Sequence, residues 1–377
     1  MPDPARTSTR SQQVPAEFPR YRFSGTHREI GRQYGEACTE AIALHLDLAL
    51  ERLSTGSQVS RQDALDATAR YRDFVVEHAW FLDEEIRGVA DGAGLSLPEA
   101  YLLQLRAELQ RPALDPSGSA ECTTFAVLPE AAADGTTSLI GQNADLPAFY
   151  AHLGVVIEVV PDDGPACLML TPAGQVSYIG INDRGLGVFA NFLHYDGWRT
   201  GFPRYLLTRL ALQHDTVADA TAAVQAVPRA SSRNLIMLDA TGVAADIETI
   251  PSETASLHPH DGLLAHSNHF LSDELREEER QRPLRLENSQ HRYHRMDELL
   301  RRHHGSLDMP TMQRILRDRG NVPNALCIAA GDEEDDNITF ASVIAQPTIG
   351  RLTVAVGPPH EHDYISYEFE DATADVH

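Results

Sequence analysis

Cys122 heads the stretch Cys122-Thr123-Thr124-Phe125-Ala126-Val127-Leu128, where a thiol can serve as a nucleophile. From Thr123 onward the residues are β-branched and apolar, and they stop at Pro129 and Glu130, the composition of a buried strand. Upstream, Gln110-Arg111-Pro112-Ala113-Leu114-Asp115-Pro116-Ser117-Gly118-Ser119 is a run of breakers and small residues that holds neither helix nor strand. A cut between Glu121 and Cys122 would free the α-amino group of the cysteine and make it an N-terminal nucleophile. The plainer reading is a small buried hydrophobe at a strand edge, the usual role of an isolated cysteine.

A carboxylate is expected beside that thiol. Asp134-Gly135, between Cys122 and the strand that runs into Ile140-Gly141-Gln142-Asn143-Ala144-Asp145, is a strong hairpin signal. With those two as the loop, Thr124 lies opposite Asp145, and Thr124 shares a face with Cys122. Asp145 then falls diagonally from Cys122, within about 8 Å. A longer loop would shift this register, and a solvated strand-end aspartate is the alternative.

The elements around these residues change character at Cys122. Residues 1–19 are polar and expected to be disordered. Residues 20–121 read as one short strand followed by helices, with Gly31 and Gly35 suited to close helix packing and Ser96-Leu97-Pro98-Glu99 a helix start. Residues 122–377 read as a catalytic unit of short strands: 123–128, 137–143, 154–160, 166–171, 175–181, 186–192, 234–239, 243–249, 263–267, 325–329, 339–345, 351–356 and 364–369. Helices are expected at 203–213 and 217–227, with a long charged helical region at 271–304. So many apolar strands pack most economically as two sheets with helices outside.

Composition excludes several classes. With 31 basic against 55 acidic residues the net charge is −24, which argues against nucleic acid as a partner. The chain has no lysine, so neither a P-loop lysine nor a lysine Schiff base is available. Cys38, Cys122, Cys167 and Cys327 show no paired spacing, so neither a zinc knuckle nor a disulfide framework is indicated. No apolar run reaches the ~18 residues of a membrane span and no secretory signal is evident, so a soluble protein of the reducing cytoplasm is expected.

Glu121-Cys122-Thr123-Thr124, Gly141-Gln142-Asn143-Ala144-Asp145 and His266-Ser267-Asn268-His269 together resemble the acyl-coenzyme A:isopenicillin-N acyltransferase family of self-processing N-terminal-nucleophile hydrolases, the C45 type. The segments 25–35, 85–94 and 356–360 also resemble family landmarks, while Glu121 departs from the glycine that the fungal enzymes carry before the cysteine. The resemblance implies an α+β fold, an αββα sandwich, made as a zymogen that cuts itself before Cys122 and whose two fragments stay associated. It implies that Asn268 donates to the oxyanion and that Asp145 holds the new α-amino group. Ser289-Gln290-His291-Arg292-Tyr293 is similar to the segment that supplies an active-site arginine in bile-salt and penicillin-V hydrolases, which marks Arg292, although a solvated helix arginine fits as well. Asn191 matches in placement an oxyanion-side residue of those relatives, and Asn191, Phe192 and Thr124 are the substrate-binding candidates, with Tyr195 and Trp198 nearby.

The expected activity is therefore hydrolysis of an amide of a small-molecule substrate through a Cys122 thioester, without a cofactor. The alternative within the class is N-acyl transfer with acyl-coenzyme A as co-substrate. The competitor from another class is a metal hydrolase, because His266-x-x-His269 and His291-x-x-His294 offer four imidazoles, although 17 histidines make such pairs common by chance. A binding or storage module is the non-enzymatic reading.

Overall fold

The computed structural model describes residues 14–56, 59–110, 121–332 and 336–370. Expectations for residues 1–13 and for the breaker run at 111–120 lie outside them. The chain opens with β1 (Arg20–Gly25), α1 (His27–Ala37), α2 (Thr39–Gly56), α3 (Arg61–His78), α4 (Trp80–Ala93) and α5 (Leu97–Gln110). Then follow β2 (Glu121–Val127), β3 (Leu139–Pro147), β4 (Gly154–Pro161), β5 (Cys167–Pro172), β6 (Ile179–Asn182) and β7 (Gly187–Asn191). Next come α6 (Leu206–Ala211), α7 (Val217–Ala226), β8 (Arg233–Leu238), β9 (Ala244–Thr249), β10 (Thr254–Leu257) and β11 (Leu263–His266). The last elements are α8 (Pro283–Arg302), α9 (Met309–Leu316), β12 (Asn337–Gln346), β13 (Arg351–Val356) and β14 (Tyr364–Glu368).

Among the described residues the strands form an eight-stranded sheet, β1-β4-β5-β6-β7-β8-β9-β10, and a six-stranded one, β11-β2-β3-β12-β13-β14. The period-two alternation of each strand sorts its side chains between two cores. Ala126, Ile140 and Ala144 of the smaller sheet meet Leu168, Ile179 and Ile236 of the larger one between the sheets. Phe125, Val127 and Leu139 point the other way, under Met296, Leu300 and Ile315 of α8 and α9. Ile157, Met169 and Leu235 of the larger sheet meet Ile30, Leu82, Leu103 and Leu206 of the remaining helices. The layers are αββα, as expected.

The N-terminal segment is part of this architecture, because β1 pairs parallel with β4. Phe18, assigned to a disordered tail, is buried between the sheets against Phe340, so the ordered chain begins earlier than its polarity suggests. The helices expected over residues 20–121 are α1 to α5 among the described residues, with Cys38 between α1 and α2 and Ala79 between α3 and α4. The helical region expected at 271–304 starts only at Pro283, because proline at the first helical turn suits a helix start and not its interior. Residues 325–329 form no strand; the Ile328 N–H is taken by the Thr339 hydroxyl instead of by a neighbouring strand. The sequence reading missed α9 and β10.

The close packing expected of Gly31 is real. A Cβ on Gly31 would lie 2.0 Å from the Glu85 carbonyl oxygen of α4, and one on Gly88 would lie 2.3 Å from that of Arg28 in α1. The two helix backbones therefore touch, and neither partner atom is a flexible side chain that could move aside. Gly31→Val is expected to lower the unfolding free energy by about 3 kcal/mol, read as a shift of the urea midpoint.

Candidate active site

The register of β2 on β3 places the candidate residues. Cys122 faces Ala144, Thr124 faces Gln142, and Asp145 faces Glu121. This corrects the expected pairing of Thr124 with Asp145. The loop is longer than two residues: a 3-10 turn at Pro129–Ala131 intervenes, and Asp134 accepts from the backbone of Thr136 and Thr137. Opposed residues share a face, so Asp145 projects with Glu121 and Thr123 toward α8, while Cys122 and Thr124 project between the sheets. Asp145 meets the cysteine instead through its backbone N–H, which faces the thiol. Its carboxylate accepts from the Thr339 hydroxyl at 2.6 Å.

Arg292 is fully buried, not solvated. Its Nε donates to Asn288 Oδ1, its Nη1 to the Cys122 carbonyl and Thr123 Oγ1, and its Nη2 to Glu121 Oε2 and Asn268 Oδ1, all between 2.6 and 2.9 Å. A guanidinium has five N–H donors, and each has a partner here. Glu121 is buried too, and its second oxygen accepts from Arg285 at 2.9 Å. The residue that departs from the family pattern is thus held by two arginines.

Asn268 presents its oxygen to the Cys122 backbone N–H at 2.7 Å, while its Nδ2 donates to the Phe192 carbonyl at 3.0 Å. In this uncut chain the asparagine expected to act as an oxyanion donor is an acceptor for the nitrogen of the Glu121–Cys122 peptide. Its own backbone N–H donates to Ser289 Oγ at 2.8 Å, one turn of α8 before Arg292. Asn191, at the end of β7, donates to Thr124 Oγ1 at 3.0 Å, and its Oδ1 is buried without a hydrogen-bond partner among the described residues. Two strands from opposite sheets therefore bring Asn191 and Thr124 together, two residues from Cys122.

Burial first, then the charge of Asp145, pushes the Cys122 thiol up to about 12; the Asp145 N–H, Arg292 and Gln142 only partly offset this. In the uncut chain the sulfur is a neutral thiol at ordinary pH.

Behind the site lies a polar pair that the sequence reading did not assign. His266 Nε2 lies 2.8 Å from Glu248 Oε1, and both residues are fully buried. Burial alone would depress the His266 pKa, but the charge of Asp246 and the hydrogen bond and charge of Glu248 outweigh it and raise the value to about 9. Glu248 also accepts from the backbone N–H of Leu271 and Ser272, so the pair fixes the loop that carries Asn268. His269 bonds instead with Ser289 Oγ at 2.8 Å. Among the described residues no group of three His, Cys, Asp or Glu could hold a metal.

The fold is α+β, two sheets packed face to face with helices on both outer faces. Residues 132–361, more than half of the 377, match the family of acyl-coenzyme A:6-aminopenicillanic acid acyl-transferases, and the chain belongs to that family. The matched region contains Asp145, Asn191, Phe192, Asn268 and Arg292, and it begins after Cys122. Among solved structures the chain is similar to a variant of conjugated bile acid hydrolase from Clostridium perfringens, with 13% identity over 66% of this chain and 97% of that one and a TM-score of 0.45. It is also similar to penicillin V acylase from Agrobacterium tumefaciens, with 15% identity over 67% of this chain and 79% of that one and a TM-score of 0.38. No helix of the described residues is long and apolar enough to cross a membrane.

Two measurements follow from this geometry. Arg292→Met leaves the buried Glu121 carboxylate with Arg285 alone and the Cys122 carbonyl without its donor, and is expected to cost about 3 kcal/mol of stability, with Glu121→Gln in the same chain recovering part of it in urea unfolding. The raised His266 pKa stabilises the fold fully below about pH 6.5 and is lost as pH rises through about 9. Stability should therefore decline across that window, and His266→Gln should flatten the decline in thermal unfolding.

Proposed function

We propose that the chain cuts itself between Glu121 and Cys122 and then hydrolyses an amide through a Cys122 thioester. The observation that carries this reading is the grip around the scissile peptide: Asn268 Oδ1 accepts from its N–H, that of Cys122, at 2.7 Å, while Arg292 holds the Glu121 side chain before it and the Cys122 carbonyl of the peptide after it. In the first reaction the Cys122 sulfur attacks the Glu121 carbonyl carbon and the thiol proton passes to the departing Cys122 nitrogen. The resulting thioester is hydrolysed, leaving a Glu121 carboxylate, a free thiol and an α-amino group already paired with Asn268.

That amine supplies what the uncut chain lacks. A thiol pushed up to about 12 needs a base, and an α-amino group with a reference pKa of about 8 is suited to remove its proton near neutrality. The sulfur attacks the substrate carbonyl, the leaving amine takes the proton, and water releases the acid from the thioester. Asn268 Oδ1 holds the amine in place, with Asn191 beside the acyl group. Acyl transfer from coenzyme A uses the same acyl-enzyme and differs only in donor and acceptor.

Intact-mass spectrometry under denaturing conditions tests the first reaction. Fragments 1–121 and 122–377 are expected from the wild type and a single full-length mass from Cys122→Ala. An uncut wild type that also resists acylation by a reactive ester would return Cys122 to the core.

A further inference from the structure

Four of the fully or nearly fully buried arginines outside the catalytic cluster divide into two kinds. Arg209 makes an ion pair with Glu85 at 2.9 Å, and Arg229 donates to the carbonyls of Val224, Gln225, Ile250 and Glu253. Arg204 and Arg233 are only 3% and 2% exposed, yet neither makes an ion pair among the described residues. Nε and Nη1 of Arg204 and Nε of Arg233 are buried without a hydrogen-bond partner among the described residues. Among the described residues the Arg233 side chain donates to the Arg204 carbonyl and, at 3.5 Å, to the Thr208 hydroxyl. The two guanidinium charges repel: burial and then Arg204 lower the Arg233 pKa to about 10.

Aromatic rings cover the faces of these cations. The Arg204 guanidinium lies 4.2 Å from the Phe192 ring centroid, 4.9 Å from that of Tyr205 and 5.7 Å from that of Trp198, and Arg233 lies 5.1 Å from Tyr205. Rings satisfy a guanidinium's faces but not the N–H groups at its edge. The Glu108 carboxylate lies within electrostatic range of Arg204 but forms no ion pair with it among the described residues: its Oε1 accepts from the Arg204 backbone N–H and the Ser231 hydroxyl, and burial, only partly offset by the Arg204 charge, raises its pKa toward the neutral form. Burying two like charges with a single, partly neutralised carboxylate in range is costly, so the pair is short of an anion.

This site adjoins the nucleophile. Tyr205 and Tyr178 share one apolar cluster with Cys122, and Trp198 packs against it. Phe192, which stacks on Arg204, offers its carbonyl to Asn268, which in turn holds the Cys122 N–H. Arg233 also lies within electrostatic range of the Cys122 sulfur. We infer that Arg204 and Arg233 form an anion subsite that receives a carboxylate or phosphate carried by the substrate, so that this enzyme acts on anionic acyl compounds. The inference rests on Cys122 being the acylated residue.

The test separates the subsite from the chemistry. Trp80→Phe leaves Trp198 as the only tryptophan, and in the Cys122→Ala chain its fluorescence is titrated with glutarate, with inorganic phosphate and with neutral glutaramide. Saturable quenching by glutarate or phosphate, absent with glutaramide and lost in Arg204→Met and Arg233→Met, is expected; glutarate points to a substrate carboxylate and phosphate to a coenzyme A donor. Both variants should fold, because replacing an unpaired buried charge by an apolar residue of similar size is neutral or stabilising, and circular dichroism checks this. With the cleaved wild type, glutaryl-4-nitroanilide or N-butyryl-4-aminobenzoate should exceed butyryl-4-nitroanilide in kcat/KM by at least about tenfold, with the preference lost in Arg204→Met. Absence of anion quenching, or a neutral substrate turned over as well as both anionic ones, overturns the subsite. Quenching without turnover of any amide overturns the activity and leaves the subsite standing.

Discussion

The five-point grip of Arg292 is the interaction on which the site depends. One guanidinium on α8 reaches the residue before the candidate nucleophile, the carbonyl of the nucleophile itself, the next side chain on β2, and the side chain of Asn268 beyond β11. The residues it joins are distant in sequence, and no other single side chain of the site spans them. Such a buried cation is tolerable because Glu121 supplies the opposite charge at 2.9 Å and every donor is used. A Lys in its place could make at most three such contacts and could not match the planar geometry.

The burial that makes this grip strong also silences the thiol. Cys122 lies between two close-packed sheets, where the ionised form is poorly solvated and the charge of Asp145 opposes it further. The same residue is therefore inert as a buried side chain and reactive only if a base appears beside it, which is what a freed α-amino group would be. The buried polar groups around it are arranged with the same economy. Glu248 and His266 neutralise one another while holding the backbone of residues 271 and 272, and Ser289 holds that of Asn268.

Charge is distributed unevenly over the molecule. A net charge of −24 predicts repulsion of anions at long range, yet Arg204, Arg282 and Arg285 all act on half-buried His194, and Arg233 and Arg292 act on Cys122. The chain places several cations within electrostatic range of the thiol and its neighbours. Total composition therefore says little about the ligand, because short-range contacts in a desolvated pocket outweigh the screened field of a distant surface.

The sequence alone determined the class of fold and the identity of most candidate residues, since strand alternation, breaker runs and short motifs are local properties. The strands at 154–160, 243–249 and 351–356 were legible because apolar alternation and flanking glycines act within a few residues. Cys122, Asn268 and Arg292 were legible as motif members. The direction in which Asp145 points was not, because a change in loop length reverses the face of every residue on the strand, and only the packed sheets fix that register. Nor could the sequence distinguish the buried Arg292 from a solvated one, or find Arg204 and Arg233: an arginine's burial and partners depend on which remote strand or helix closes over it, and that is decided by tertiary packing.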